Sequence, residues 1–157
     1  MSNQRNQKML KQISSSPNQN GDKNQSKQFW LDGVEIHKKY FHDENVLGSF
    51  FNVSKTDTLI QNIESLVQNE ATSLSQSQLR NLYDKIIRAD NLINLKLIRP
   101  HLAYSAARLS GKDPYKAKKF LSLIDYMIRE LEENQLAAFK RFMEVIVAYH
   151  KYYSKVK

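Results

Sequence analysis

The sequence predicts an all-α fold, a compact bundle of about five helices behind a disordered N-terminal tail, and three observations predict it. From 56 to 157 the apolar residues recur at three-and-four spacing, the period of helices that bury one stripe. Nowhere in that span does a period-two alternation bounded by turn residues suggest a strand. Two helix starts are also legible. Ser75 with Gln78 three residues on resembles a capping box, and Asp113 before Pro114 pairs a capping carboxylate with a proline in the first turn, where its missing N–H costs nothing.

In chain order, residues 1–28 form the tail. Sixteen of them are Asn, Gln or Ser and only Met1, Met9, Leu10 and Ile13 are apolar, too little surface to offset the entropy of ordering them. Residues 29–55 read as an irregular extension, mixing aromatics with Gly33 and Gly48, with one short helix around 34–40. Residues 56–157 are the helical domain. Asp57 is positioned to cap a first helix carrying Leu59, Ile60, Ile63, Leu66 and Val67 and ending near Asn69. The second runs from Ser75 to about Ile93, with Leu79, Leu82, Tyr83, Ile86, Ala89 and Ile93 on one side and Arg80, Asp84, Lys85 and Arg88 on the other. Around Pro100 two readings stay open: the proline opens a helix over 101–112, or it kinks one that begins near Leu95. Either way His101, Tyr104, Ser105, Arg108 and Lys112 share one face, and Leu102, Ala106 and Leu109 another. Ala103, Ala106 and Ala107 are small enough for a neighbouring backbone to come close. After Pro114 the stripe is Phe120, Leu123, Ile124, Met127, Ile128 and Leu131. The last helix, from about Gln135 to Tyr153, turns Phe139, Phe142, Met143, Ile146, Tyr149, His150 and Tyr153 inward.

Catalytic chemistry has few parts to draw on. The absence of cysteine removes disulfides, thiolate zinc sites and a cysteine nucleophile, and fits a reducing, cytoplasmic setting. No stretch is long and apolar enough for a membrane span, and the N-terminal run lacks the apolar core of a signal peptide. His37, His42, His101 and His150 show no metal-ligand spacing, and His150 on its apolar face reads as a satisfied core histidine. The four glycines form no phosphate-cradling loop, and the acidic run at 129–134 splays its carboxylates outward as a solvated helix end. The expectation is a protein that is not an enzyme and uses no metal and no cofactor.

Charge is the informative feature. The net +8 divides into +4 over 1–28, −4 over 29–74 and +8 over 75–157, so the excess sits on the C-terminal half. It is densest at 95–119, with seven Lys or Arg against Asp113 alone, as a polyanion-binding surface would be. The candidate phosphate contacts are Arg80, Lys85 and Arg88, then Lys96, Arg99 and Arg108 around the proline, then Lys140 and Arg141. Tyr104 is a candidate for stacking or sugar contact.

Three blocks, "SLSQSQLRNLYDKI" (73–86), "NLKLIRPHLAYSAAR" (94–108) and "FKRFMEVIVAYHKYY" (139–153), in this order and at these separations, closely resemble the small subunit of type III-A CRISPR–Cas effector complexes, the Csm complexes. The likeness covers about residues 50–155, and "KYFHDENVL" (39–47) is more weakly similar to a Tyr-Phe-Asp turn found upstream in many members. Many members carry Gly before the arginine that is Arg108 here, where this chain has Ala107, and the Asn/Gln-rich tail has no counterpart. The resemblance implies an all-helical, non-catalytic subunit. It implies several copies stacked in a ribonucleoprotein filament beside the backbone subunits and the large polymerase-like subunit, touching target RNA and, less, guide RNA. Motif and helical wheel together select Arg80, Arg99 and Arg108 most strongly.

Two rival readings belong to other classes. One is a helical protein–protein adaptor whose basic face meets an acidic partner, with Tyr149, Tyr152 and Tyr153 as an interface patch. The other is a DNA-binding regulator, disfavoured because the 110–114 connection ends in Asp-Pro and no short turn has helix-turn-helix form.

Overall fold

The computed structural model describes residues 18–42, 45–109 and 113–155, and among these there is no strand. Helix α1, Asn18–Phe41, is far longer than the short helix expected around 34–40, and it takes in residues 18–28, which composition had assigned to the tail. Residues 1–17 lie outside the described residues. The reason is tertiary. Ile36, Tyr40 and Phe41 are buried, and once that end is docked each further residue adds to an existing helix rather than nucleating one. Gly33 allows the docking, because a Cβ there would collide with the Ser122 carbonyl oxygen and stand 3.1 Å from the Tyr126 Cβ. His37 then meets Tyr126 edge-on at 5.3 Å between ring centroids, and Phe41 meets Phe142 at 5.9 Å.

A 3₁₀ turn, Gly48–Phe51, leads into α2, Val53–Leu66. Its cap is Asn52, whose side-chain oxygen accepts from the Ser54 N–H at 3.1 Å. The expected cap, Asp57, lies exposed inside the helix, because the chain already leaves extended geometry at Asn52. Beyond Leu66 the helix widens into a π turn, Val67–Ala71, where Glu70 is buried. Its carboxylate accepts from the Tyr40 hydroxyl at 2.9 Å and from Lys39 Nζ at 3.2 Å, tying the turn to α1. Burial, then the bond to Glu70, pushes the Tyr40 hydroxyl above its ordinary pKa, while the hydrogen bond to Glu70 raises that of Lys39.

Helix α3, Gln76–Arg88, opens with the expected capping box: the Ser75 hydroxyl accepts from Gln78 N at 3.1 Å and the Gln78 side chain from Ser75 N at 3.0 Å. It stops at Ala89, which is extended, and not near Ile93. The helical phase is lost there, so Ile93 falls on the short α4, Leu92–Lys96, and is 71% exposed where the period had placed it inside. Pro100 resolves to the first of its two readings. It sits in the first turn of a separate helix, α5, Arg99–Ala107, whose Leu102 and Ala106 are buried while His101, Tyr104 and Ser105 are exposed. Lys112, expected on the exposed face, lies outside the described residues.

Helix α6, Pro114–Arg129, is the central element, packed by α1, α5 and the π turn. Asp113 caps it as predicted, accepting from Lys116 N at 3.1 Å, and every residue of the predicted stripe from Phe120 to Leu131 is buried. Helix α7, Leu136–Lys155, closes the bundle against α2 and α3 with Phe139, Phe142, Met143 and Ile146. Each such side chain contributes roughly 1.5–3 kcal/mol of burial. His150 is the satisfied core histidine expected, its Nε2 2.8 Å from the Leu74 carbonyl oxygen. Among the described residues no helix is long and apolar enough to cross a membrane.

Candidate nucleic-acid interface

Lys85 of α3 and Arg108 at the C-terminal end of α5 face each other across a cleft of about 310 Å³. On α3, Gln78, Asn81 and Lys85 follow each other at three and four residues and share the shoulder that faces α5. On α5 His101, Tyr104 and Ser105, with Arg108 at its C-cap, supply the opposite wall, with leucines as the floor. The Arg108 guanidinium donates to the Tyr104 hydroxyl at 2.6 Å, its carbon 5.2 Å from the centre of that ring. Both side chains are exposed, so a fixed cation is held beside an aromatic face. This arrangement offers donors to phosphate and sugar oxygens and a plane for a base, without a carboxylate to repel a polyanion.

The structure brings together Lys85, Tyr104 and Arg108 of the predicted residues. Arg80 does not join them. Five residues of helix place it about 140° from Lys85, in a separate groove of about 170 Å³ against α7, beside Lys151 and His150. Arg88 is exposed on the last turn of α3, and Arg141 is exposed with its guanidinium 3.3 Å from Glu144.

The remaining three hold the fold. Lys140 Nζ donates to the carbonyls of Ile87 at 3.1 Å and Ala89 at 2.7 Å, closing the C-terminal end of α3. Lys96 Nζ does the same for α6, at 3.3 Å to Ile128 O and 2.9 Å to Arg129 O. Arg99 pairs with the buried Asp125, its Nε 2.9 Å and Nη2 3.5 Å from the two carboxylate oxygens. Nothing local in the sequence marks these partners, which come from distant helices. His101, by contrast, was on the predicted exposed face but not among the nine, and its spacing from Tyr104 and Arg108 was the available signal.

The tyrosines proposed as an adaptor patch are only partly free. The Tyr153 hydroxyl donates to Glu64 at 2.5 Å, a bond that, with lesser help from burial, pushes its pKa up to about 12. Tyr152 packs edge-on against it and is 62% exposed. Among the described residues no group of three His, Asp or Glu could hold a metal ion.

The protein family described as Csm2 Type III-A matches residues 53–156, which include both walls of the cleft. No match was found among curated proteins or among solved structures.

Proposed function

Since the chain belongs to the Csm2 family, and so is a small structural subunit of the type III-A Csm complex, we propose that it binds RNA without catalysing any reaction. Copies of it stack along the complex in the cytoplasm, beside the backbone subunits and the large polymerase-like subunit. They contact target RNA and guide RNA through the α3–α5 cleft. The observation that carries this reading is that Lys85 from one family-like block and His101, Tyr104 and Arg108 from the next face each other across one solvent-open cleft. Such contacts fix position and add affinity while base pairing between the RNAs supplies sequence. Each copy has few of them, so an array sums what one subunit holds weakly.

The test is RNA binding by the full chain at low and moderate salt. The pair Lys85→Ala and Arg108→Ala is expected to weaken binding across unrelated sequences and to flatten the salt dependence by about 0.7 in log–log slope for each phosphate that is no longer neutralised. Unaltered affinity and slope would overturn the assignment of the cleft. The adaptor reading keeps one supporting observation: Ile93 and Leu97, four apart, are 71% and 63% exposed. RNA-free protein recovered from its host with a single protein partner would favour it, and co-purifying RNA of discrete lengths would reject it.

A further inference from the structure

Helix α5 has a second flank. Opposite the cleft it borders a wider groove of about 650 Å³, walled by Phe29 and Trp30 of α1 and by Lys118 and Arg129 of α6, with Pro100 and alanines of α5 beneath. Two of those alanines, Ala103 and Ala107, are exposed, so the floor is smooth and admits close approach. Four cations line the groove, Lys96, Arg99, Lys118 and Arg129, against Asp125, whose carboxylate Arg99 already holds. The groove is therefore three charges positive by its own lining.

The aromatic wall is arranged unusually. The Arg129 guanidinium carbon lies 4.9 Å from the Trp30 ring, and the arginine side chain is 47% exposed. The guanidinium thus sits against the indole while about half of the side chain stays open to solvent, with the Glu130 carboxylate 4.0 Å from its Nε. The Trp30 Nε1–H is buried and has no hydrogen-bond partner. Native structures seldom tolerate that. Guanidinium planes and aromatic faces in a positive groove are what unpaired bases stack on, with neighbouring cations taking the phosphates.

We propose that this groove is a second site for single-stranded RNA, in which a base stacks on the open plane of Arg129, itself layered on Trp30, and Lys118 meets an adjacent phosphate. The proposal rests on the reading of the chain as an RNA-binding subunit and adds a track on the far side of α5. One wall of it, α1, lies outside the family-matched residues 53–156. An acidic helix from a protein partner would satisfy the charge as well, and the titration below separates it from RNA.

Trp30 is the one tryptophan of the chain, so its fluorescence reports on this groove alone. Short oligouridine is titrated into the full-length protein at low salt, following tryptophan emission and, separately, the anisotropy of labelled oligouridine. The expected result is a change in tryptophan emission that saturates with RNA. Arg129→Ala should abolish it and lower affinity by about fivefold to a hundredfold, the range for loss of one stacked base, and Trp30→Phe, which keeps a ring beside the guanidinium, should lower it less. Both substitutions are mild, and melting curves establish that the variants fold. Lys85→Ala should leave the emission change in place. RNA binding by anisotropy with silent tryptophan and full affinity in Arg129→Ala would overturn the groove while leaving the α3–α5 cleft standing. No RNA binding by either readout would overturn both. A response to polyglutamate but not to oligouridine would overturn it in favour of an acidic protein partner.

Discussion

Lys140 and Arg141 are neighbours in one basic pair, yet they have separate tasks, and substituting Lys140 by Met isolates one of them. Met keeps most of the apolar stem and removes the ammonium that donates to the Ile87 and Ala89 carbonyls. Hydrogen bonds to a charged donor contribute about 1.5–3 kcal/mol, and a cation at a helix C-terminus adds roughly 0.3–1 kcal/mol. Water replaces the donor at the exposed Ile87 carbonyl but only partly at Ala89, which is buried, so the net loss is about 2 kcal/mol. For a chain of this size that lowers the unfolding midpoint by about 4–8 °C. Circular dichroism melts measure it, and amide hydrogen exchange should accelerate at the end of α3. RNA affinity should stay as in the parent chain. A midpoint that does not move, or a loss of RNA binding without one, would refute the assignment of Lys140 to the fold.

Two further outcomes are expected. Gly33→Ala should destabilise by about 1–3 kcal/mol, the usual cost of overpacking, although alanine is the better helix former by up to about 1 kcal/mol; urea unfolding measures the sign, and a more stable variant would show that α1 does not cross α6 so closely. The Tyr153–Glu64 bond raises the folded pKa of Tyr153 to about 12 from 10, so its stabilisation is full below pH 10 and fades as pH climbs towards 12. The gap in melting midpoint between the parent chain and Tyr153→Phe should shrink across that window, and a constant gap would contradict the bond.

What the sequence disclosed was what neighbouring residues decide among themselves. The Ser75–Gln78 box, the Asp113 cap and the stripe from Phe120 to Leu131 need only a few residues of context, and each is present. The long α1 was hidden because its stability comes from α6, far along the chain, and from the missing Cβ of Gly33. Ile93 was misplaced because a wheel carries its period through Ala89, where the backbone does not. Half of the α3–α5 cleft was legible as the face of α5. The fates of Lys96, Arg99 and Lys140 were not, since a cation reads alike in sequence whether it meets solvent, a phosphate or the end of another helix.

The buried Glu70 has a consequence for where the unit of folding begins. Its two donors, Lys39 and Tyr40, both lie before Val53, as do Ile36 and Phe41. A chain trimmed to the family-matched residues 53–156 would leave a carboxylate inside the π turn with those partners gone and one side of α6 bare to water. The span shared with the family is thus shorter than the span that closes the core, and α1 with the buried Val46 and Leu47 makes up the difference.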